Sequence, residues 1–294
     1  LEANILTAVF LPLALVIIML GMGLSLTPAH FRAIFVAPRP ILVGLALQLV
    51  ALPSLAWLLA WALQMPPALA VGLVLIAACP GGATSNLISH LARADAALSI
   101  TLTALSSLVI IFSLPFVVNA ASLFFMEAGQ NVSLSVPKTI LQIVVVTVIP
   151  VSIGMWLRSK SPERADRAER SVKVLSALFL ALVIAGILVG ERDNLLRFFM
   201  LVGVATLLLN LGSMLLGYVG GRLARLPVAQ VRTVVIEVGI QNGTMAIAVA
   251  TAPTLLNNSS MAIPAAIYSL IMFVSGAVLI AMGNRNTWTV AETP

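Results

Sequence analysis

The sequence predicts an all-α membrane protein built as an inverted repeat, with nine transmembrane helices, two of them discontinuous and crossing. Three observations carry that reading. Hydrophobic residues are 61% and charged residues 9% of the 294, where soluble domains hold roughly 45–50% and about 25%, so the bilayer must be part of the solvent. Charge-free runs of spanning length recur from end to end, and two of them are interrupted by glycines set among polar side chains.

A spanning helix needs about 20 mostly apolar residues. The first such run covers residues 4–26 and gives way to a polar connection of Thr27, Pro28, His30, Arg32 and Arg39. The uncharged stretch 40–89 is too long for one helix, and Gln64, Met65, Pro66 and Pro67 divide it into spans at 40–63 and 68–90. The fourth span follows Asp95 and lasts to 119, the fifth covers 139–157, and the sixth, the shortest, 174–190. The seventh covers 198–220, the eighth 233–256 and the ninth 262–282, with Asn257, Asn258, Ser259 and Ser260 as the turn between the last two. Residues 1–294 therefore read as a single membrane-embedded unit.

The net charge of +6 does not point to nucleic acid, because the 16 basic residues are scattered between apolar runs and make no basic stripe interleaved with aromatics. Their placement reads orientation instead. With nine spans, 13 of the 16 fall on one side, including all six between Arg158 and Lys173. By the positive-inside bias this predicts a multi-pass protein of the cell's inner (cytoplasmic) membrane, with the amino terminus outside and the carboxyl terminus in the cytoplasm. Cys79 is the only cysteine, so no intrachain disulfide forms, and the absence of CxxC or a His/Cys cluster argues against a transition-metal site. His30 and His90 are the only histidines, both at span ends, and neither GxSxG nor HExxH occurs. The chain is therefore not read as an enzyme. No obligate protein partner is implied.

Within the third span lie Cys79, Pro80, Gly81, Gly82, Ala83, Thr84, Ser85 and Asn86, and within the eighth Glu237, Val238, Gly239, Ile240, Gln241, Asn242, Gly243 and Thr244. Proline removes a helix donor and glycine frees the backbone, so both helices should unwind there. A single Pro-Gly-Gly could equally be a kink or a close helix contact. Two polar breaks favour paired interruptions of an inverted repeat, crossing at mid-membrane.

Glu237 is the one acidic residue inside a span. An ionised carboxylate at the bilayer centre costs about 2.5–3.5 kcal/mol or more, and no Lys or Arg lies within a span to offset it. Either a proton or a bound cation must balance it, unless the residue sits nearer the interface. Ser85, Asn86, Gln241 and Asn242 supply oxygens nearby, which favours a hard cation such as sodium. Ser99 and Thr103 share one helix face, where hydroxyls often only bond the preceding turn. Gln48 is a lone amide in the second span, open to packing or function.

The stretches Pro-Gly-Gly-Ala-Thr-Ser-Asn at 80–86, His90 to Ser107 and Glu-Val-Gly-Ile-Gln-Asn at 237–242 resemble the bile acid:sodium symporter family, especially its bacterial members, from about Met19 to Gly276. The resemblance implies a sodium-coupled carrier, usually of ten spans and read here in a nine-span form. It implies a core domain, here 40–119 and 198–282, that moves against a panel, here 4–26 and 139–190. It also implies two sodium sites. The first would use Ser85, Asn86, Ser99, Thr103 and Glu237. The second would use Gln48, Glu237 and Gln241 with the carbonyls of Val238 and Ile240. Ala83, Gly243, Met272 and Phe273 depart from the family pattern and leave the identity of the substrate open.

The function expected is sodium influx coupled to uptake of an organic anion, bile-acid-like or a small carboxylate, by alternating access. A proton-coupled or passive carrier of another small organic solute is the alternative. Without a basic side chain in the spans, the anion would meet the N–H groups at half-helix starts, which nominates Thr84, Asn242 and Gly243 as its contacts.

Overall fold

The computed structural model describes residues 11–127, 133–169, 171, 172, 175, 178, 182 and 195–285. Among them every regular element is helical, and the β pairing is one isolated antiparallel bridge, Gly81 with Gln241. Helix α1 covers Leu11–Ser25 and α2 covers Pro28–Val36, bent 63° from it. The sequence reading placed only a polar connection where α2 stands. Thr27, extended at φ −131°, donates its N–H to His30 Nδ1 at 3.0 Å, and Pro28 at the first helical position supplies a pre-set φ, so the helix restarts after a gap of only two residues.

Helix α3 is Pro38–Ala62, α4 Pro67–Ala78, α5 Ala83–Leu91, α6 Ala96–Phe125 and α7 Val136–Lys160. After them come α8 Leu195–Leu223, α9 Val228–Gly239, α10 Gly243–Thr251 and α11 Ile263–Asn284. Five helical stretches, in α3, α6, α7, α8 and α11, are long and apolar enough to cross a membrane, or six if the bent pair α1 and α2 is one span. The expected third and eighth spans are each two half-helices, α4 with α5 and α9 with α10. The expected sixth span, 174–190, lies outside the described residues except at isolated positions, as do residues 4–10 of the first.

The interrupted helices fill the centre. Helix α4 is buried from Leu69 to Ala78, α9 from Thr233 to Gly239, and α10 from Gly243 to Ala250. The long helices surround them and carry exposed apolar side chains outward, among them Trp61, Phe112, Phe116, Leu141, Leu215 and Val274. This layering has a direct cause. Backbone released from a helix at membrane depth must find its partners inside the protein, so the broken helices take the inside. Close approach elsewhere depends on small residues. A β-carbon at Gly23 of α1 would strike the Val151 backbone of α7, and one at Gly154 would strike Leu20 and Gly23 in return.

Two π-turns interrupt the long helices, Leu47–Ala51 in α3 and Val144–Val148 in α7. Each is followed within two residues by a proline, Pro53 and Pro150. Proline cannot donate to the carbonyl four residues back and its ring presses on it. The widened turn, closed by Leu52 N–H on the Leu47 carbonyl and by Ile149 N–H on that of Val144, absorbs the conflict.

Candidate functional site

The two breaks meet. Helix α4 stops at Ala78 and α5 begins at Ala83; α9 stops at Gly239 and α10 begins at Gly243. Between them Gly81 pairs with Gln241, and Asn242 N–H donates to the Pro80 carbonyl at 2.9 Å. Each break thus supplies part of the backbone pairing the other has lost.

At this crossing lie the side chains nominated from sequence as a first cation site. Glu237, Ser85, Ser99 and Thr103 are fully buried and Asn86 nearly so. Thr103 Oγ1 donates to Glu237 Oε2 at 2.8 Å, and Ser99 Oγ stands within bonding reach of both Glu237 Oε1 and Asn86 Oδ1. Thr103 Oγ1 also lies 3.3 Å from Asn86 Oδ1 and 3.5 Å from Ser85 Oγ, while the Ser85 hydroxyl donates to the Gly82 carbonyl at 2.7 Å. Helix α6 contributes Ser99 and Thr103 from one face, a turn apart, and the bend at Arg93, φ +54°, returns α6 alongside α5.

Hydrogen supply decides what this cluster can do. The three hydroxyls carry one hydrogen each, yet four acceptors face them: both carboxylate oxygens, Asn86 Oδ1 and the Gly82 carbonyl. Among the described residues no ion pair reaches Glu237. The result is a buried, oxygen-rich cluster short of positive charge, the setting that suits a hard cation. Gly81 is required there, because a β-carbon on it would come 2.6 Å from Glu237 Oε2 and 3.3 Å from the hydroxyls of Ser85 and Thr103.

The second nominated set is drawn from α3 and the end of α9. Gln48 sits on the α3 π-turn, which packs against α9, and is buried with neither amide atom bonded. Gln241 Nε2 donates to the Val238 carbonyl at 2.9 Å and to that of Glu237 at 3.3 Å, while its Oε1 has no partner. A buried polar atom left unpaired costs about 1–3 kcal/mol, so each of these three atoms, two on Gln48 and one on Gln241, would gain from a partner. Among the described residues no group of three or more His, Cys, Asp or Glu comes together.

Of the residues nominated for the anion, Thr84 is half-buried at the start of α5. Asn242 is buried and caps α10 by accepting from Met245 N–H at 3.0 Å through Oδ1, leaving Nδ2 unbonded. The N–H groups of Asn242 and Gly243 are already donated, to Pro80 and to Gln241 at 3.0 Å. The Ser269 hydroxyl occupies the space a Gly243 side chain would need, a contact from α11 that the sequence did not suggest.

Residues 12–198 match the Sodium Bile acid symporter family. The "Uncharacterized sodium-dependent transporter YocS" of Bacillus subtilis is 28% identical over 92% of this chain and 81% of its own length. The "Probable sodium/metabolite cotransporter BASS1, chloroplastic" of Arabidopsis thaliana is 30% identical over 92% of this chain and 66% of its own length. The human ileal sodium/bile acid cotransporter is 29% identical over 81% of this chain and 69% of its own.

Proposed function

We propose, from the premise that the chain belongs to the sodium bile acid symporter family, that it couples sodium influx to uptake of an organic anion by alternating access. It is a multi-pass membrane protein of a transporter family, and relatives are named as sodium-dependent carriers. The observation that carries the proposal is Glu237, buried at the crossing of two broken helices, ringed by hydroxyls and an amide oxygen and, among the described residues, in no ion pair.

In this reading nine spans form an inverted repeat, residues 40–119 and 198–282 making a core and 4–26 and 139–190 a panel. One sodium is held by Ser85, Asn86, Ser99, Thr103 and Glu237. A second is held by Gln48, Glu237 and Gln241 with the carbonyls of Val238 and Ile240, which would give the unbonded glutamine oxygens their partner. The protein sits in the cytoplasmic membrane, amino terminus outside and carboxyl terminus inside, as the basic residues ask.

The anion, bile-acid-like or a small carboxylate, lies beside the bound sodium, because the spans supply no basic side chain for it. Thr84, at the start of α5, and the unbonded Nδ2 of Asn242 are the donors that meet it, with Gly243 lining the same end of α10. Sodium supplies the full positive charge that these partial charges lack. The anion site is therefore incomplete until the cations are in place, which is the physical basis of coupling. Uptake by proteoliposomes with sodium replaced by choline at fixed pH tests this: uptake should collapse. Undiminished uptake that follows a proton gradient would establish the proton-coupled alternative.

A further inference from the structure

The α9 break has a second side. Where the helix stops, the freed Gly239 carbonyl accepts two hydrogen bonds from two other helices: Asn210 Nδ2 of α8 at 2.9 Å and the Tyr268 hydroxyl of α11 at 2.8 Å. Asn210 and Tyr268 are both fully buried. One donor would suffice to satisfy a carbonyl at membrane depth. Two donors converging from different helices also fix its direction.

That direction matters for the neighbouring peptides. Ile240 is extended, at φ −114° and ψ 104°, and the next residue is paired with Gly81 across the crossing. In extended backbone successive carbonyls point to opposite sides. Holding the Gly239 carbonyl out toward α8 and α11 therefore turns the Ile240 carbonyl the other way. Val238, one residue before, keeps its carbonyl under the Gln241 amide. Glu237, with its carboxylate among Ser99 and Thr103, lies on the same short segment.

We propose that Asn210 and Tyr268 are positioning residues for cation binding: by pinning the Gly239 carbonyl they set the Val238 and Ile240 carbonyls, and with them the affinity and size preference for sodium. The proposal rests on the sodium reading given above. Neither residue touches the cation. Both act through a peptide group they hold from behind, as outer partners orient the ligands of a metal site.

The test is ion-induced thermal stabilisation of the purified full chain in lipid nanodiscs, titrated with sodium and separately with lithium. Tyr268→Phe removes one hydroxyl and leaves the Asn210 bond in place, so the carbonyl stays satisfied. It should raise half-saturating sodium roughly 10-fold and change the sodium-to-lithium ratio, with melting in the absence of either ion close to the unaltered protein. Asn210→Ser should do the same from the other helix. Unchanged half-saturation and ion ratio in both variants, whatever happens to basal melting, would overturn the proposal. Glu237→Gln in the same titration separates the two levels. If it abolishes the sodium response while Tyr268→Phe and Asn210→Ser leave it untouched, only the clamp is wrong. If it too is silent, the sodium reading falls and the clamp with it.

Discussion

The Thr103 hydroxyl donates to Glu237 Oε2 at 2.8 Å, joining α6 to the broken end of α9 across 134 residues of chain. Ser99, one turn earlier, addresses the other carboxylate oxygen. A carboxylate gripped on both oxygens by short side chains on a rigid helix is held in one orientation, which is what repeated binding and release of a small cation requires.

Removing either hydroxyl should therefore weaken sodium binding without removing the charge. Ser99→Ala and Thr103→Ala are each expected to raise half-saturating sodium by roughly 10-fold, the factor about 1.4 kcal/mol of lost interaction produces. Sodium-dependent thermal shifts measure it, and unchanged midpoints would place the cation elsewhere.

Gly81→Ala tests the crossing itself. Its β-carbon would arrive 2.6 Å from Glu237 Oε2, so the carboxylate must move away from Thr103 or the bridge to Gln241 must open. Sodium stabilisation should fall further than in Ser85→Ala, where only one hydroxyl is lost. Equal responses in the two variants would mean that the breaks are not held this closely.

Asn242 and Asn86 should separate substrate from cation. Asn242→Ala removes the unbonded Nδ2 together with the Oδ1 that caps α10, and should weaken anion binding at least about 10-fold, as loss of a charge-assisted hydrogen bond does, with sodium binding largely retained. Asn86→Ala should weaken both. Isothermal titration of each ligand decides it, and unaltered anion affinity in Asn242→Ala would remove that residue from the substrate site.

The topology has its own check, independent of any ligand. Cysteines placed singly at Asn131 and Arg164 should label from opposite faces of the membrane, Asn131 in intact cells and Arg164 only after the membrane is made permeable. Labelling of both from outside would overturn the orientation read from the basic residues.

Much of this was legible because proline, glycine and charge are costly inside a bilayer and so stand out in an apolar sequence. Pro80, Gly81 and Gly82 announced one break, Gly239 and Gly243 the other, and Glu237 was conspicuous as the one acidic residue within a span. Other features depend on contacts that no local pattern carries. Asn210 is the one amide in its leucine-rich run and Tyr268 one of only two tyrosines, but nothing nearby in sequence reveals that both reach Gly239. The π-turn that presents Gln48 follows from Pro53, yet a proline predicts a disturbance without fixing its form. Helix α2 is hidden because Arg32 and Arg39 read as loop, although Thr27 and Pro28 carry the signature of a helix start.

The central claim is that a bound sodium balances the buried Glu237 carboxylate, and sodium titration of the unaltered protein and of Glu237→Gln, at two pH values either side of neutrality, tests it most directly. The account predicts saturable sodium binding in the unaltered protein and its severe loss in Glu237→Gln at both pH values. Equal sodium binding by the two proteins, with Glu237→Gln abolishing only a pH dependence, would contradict it.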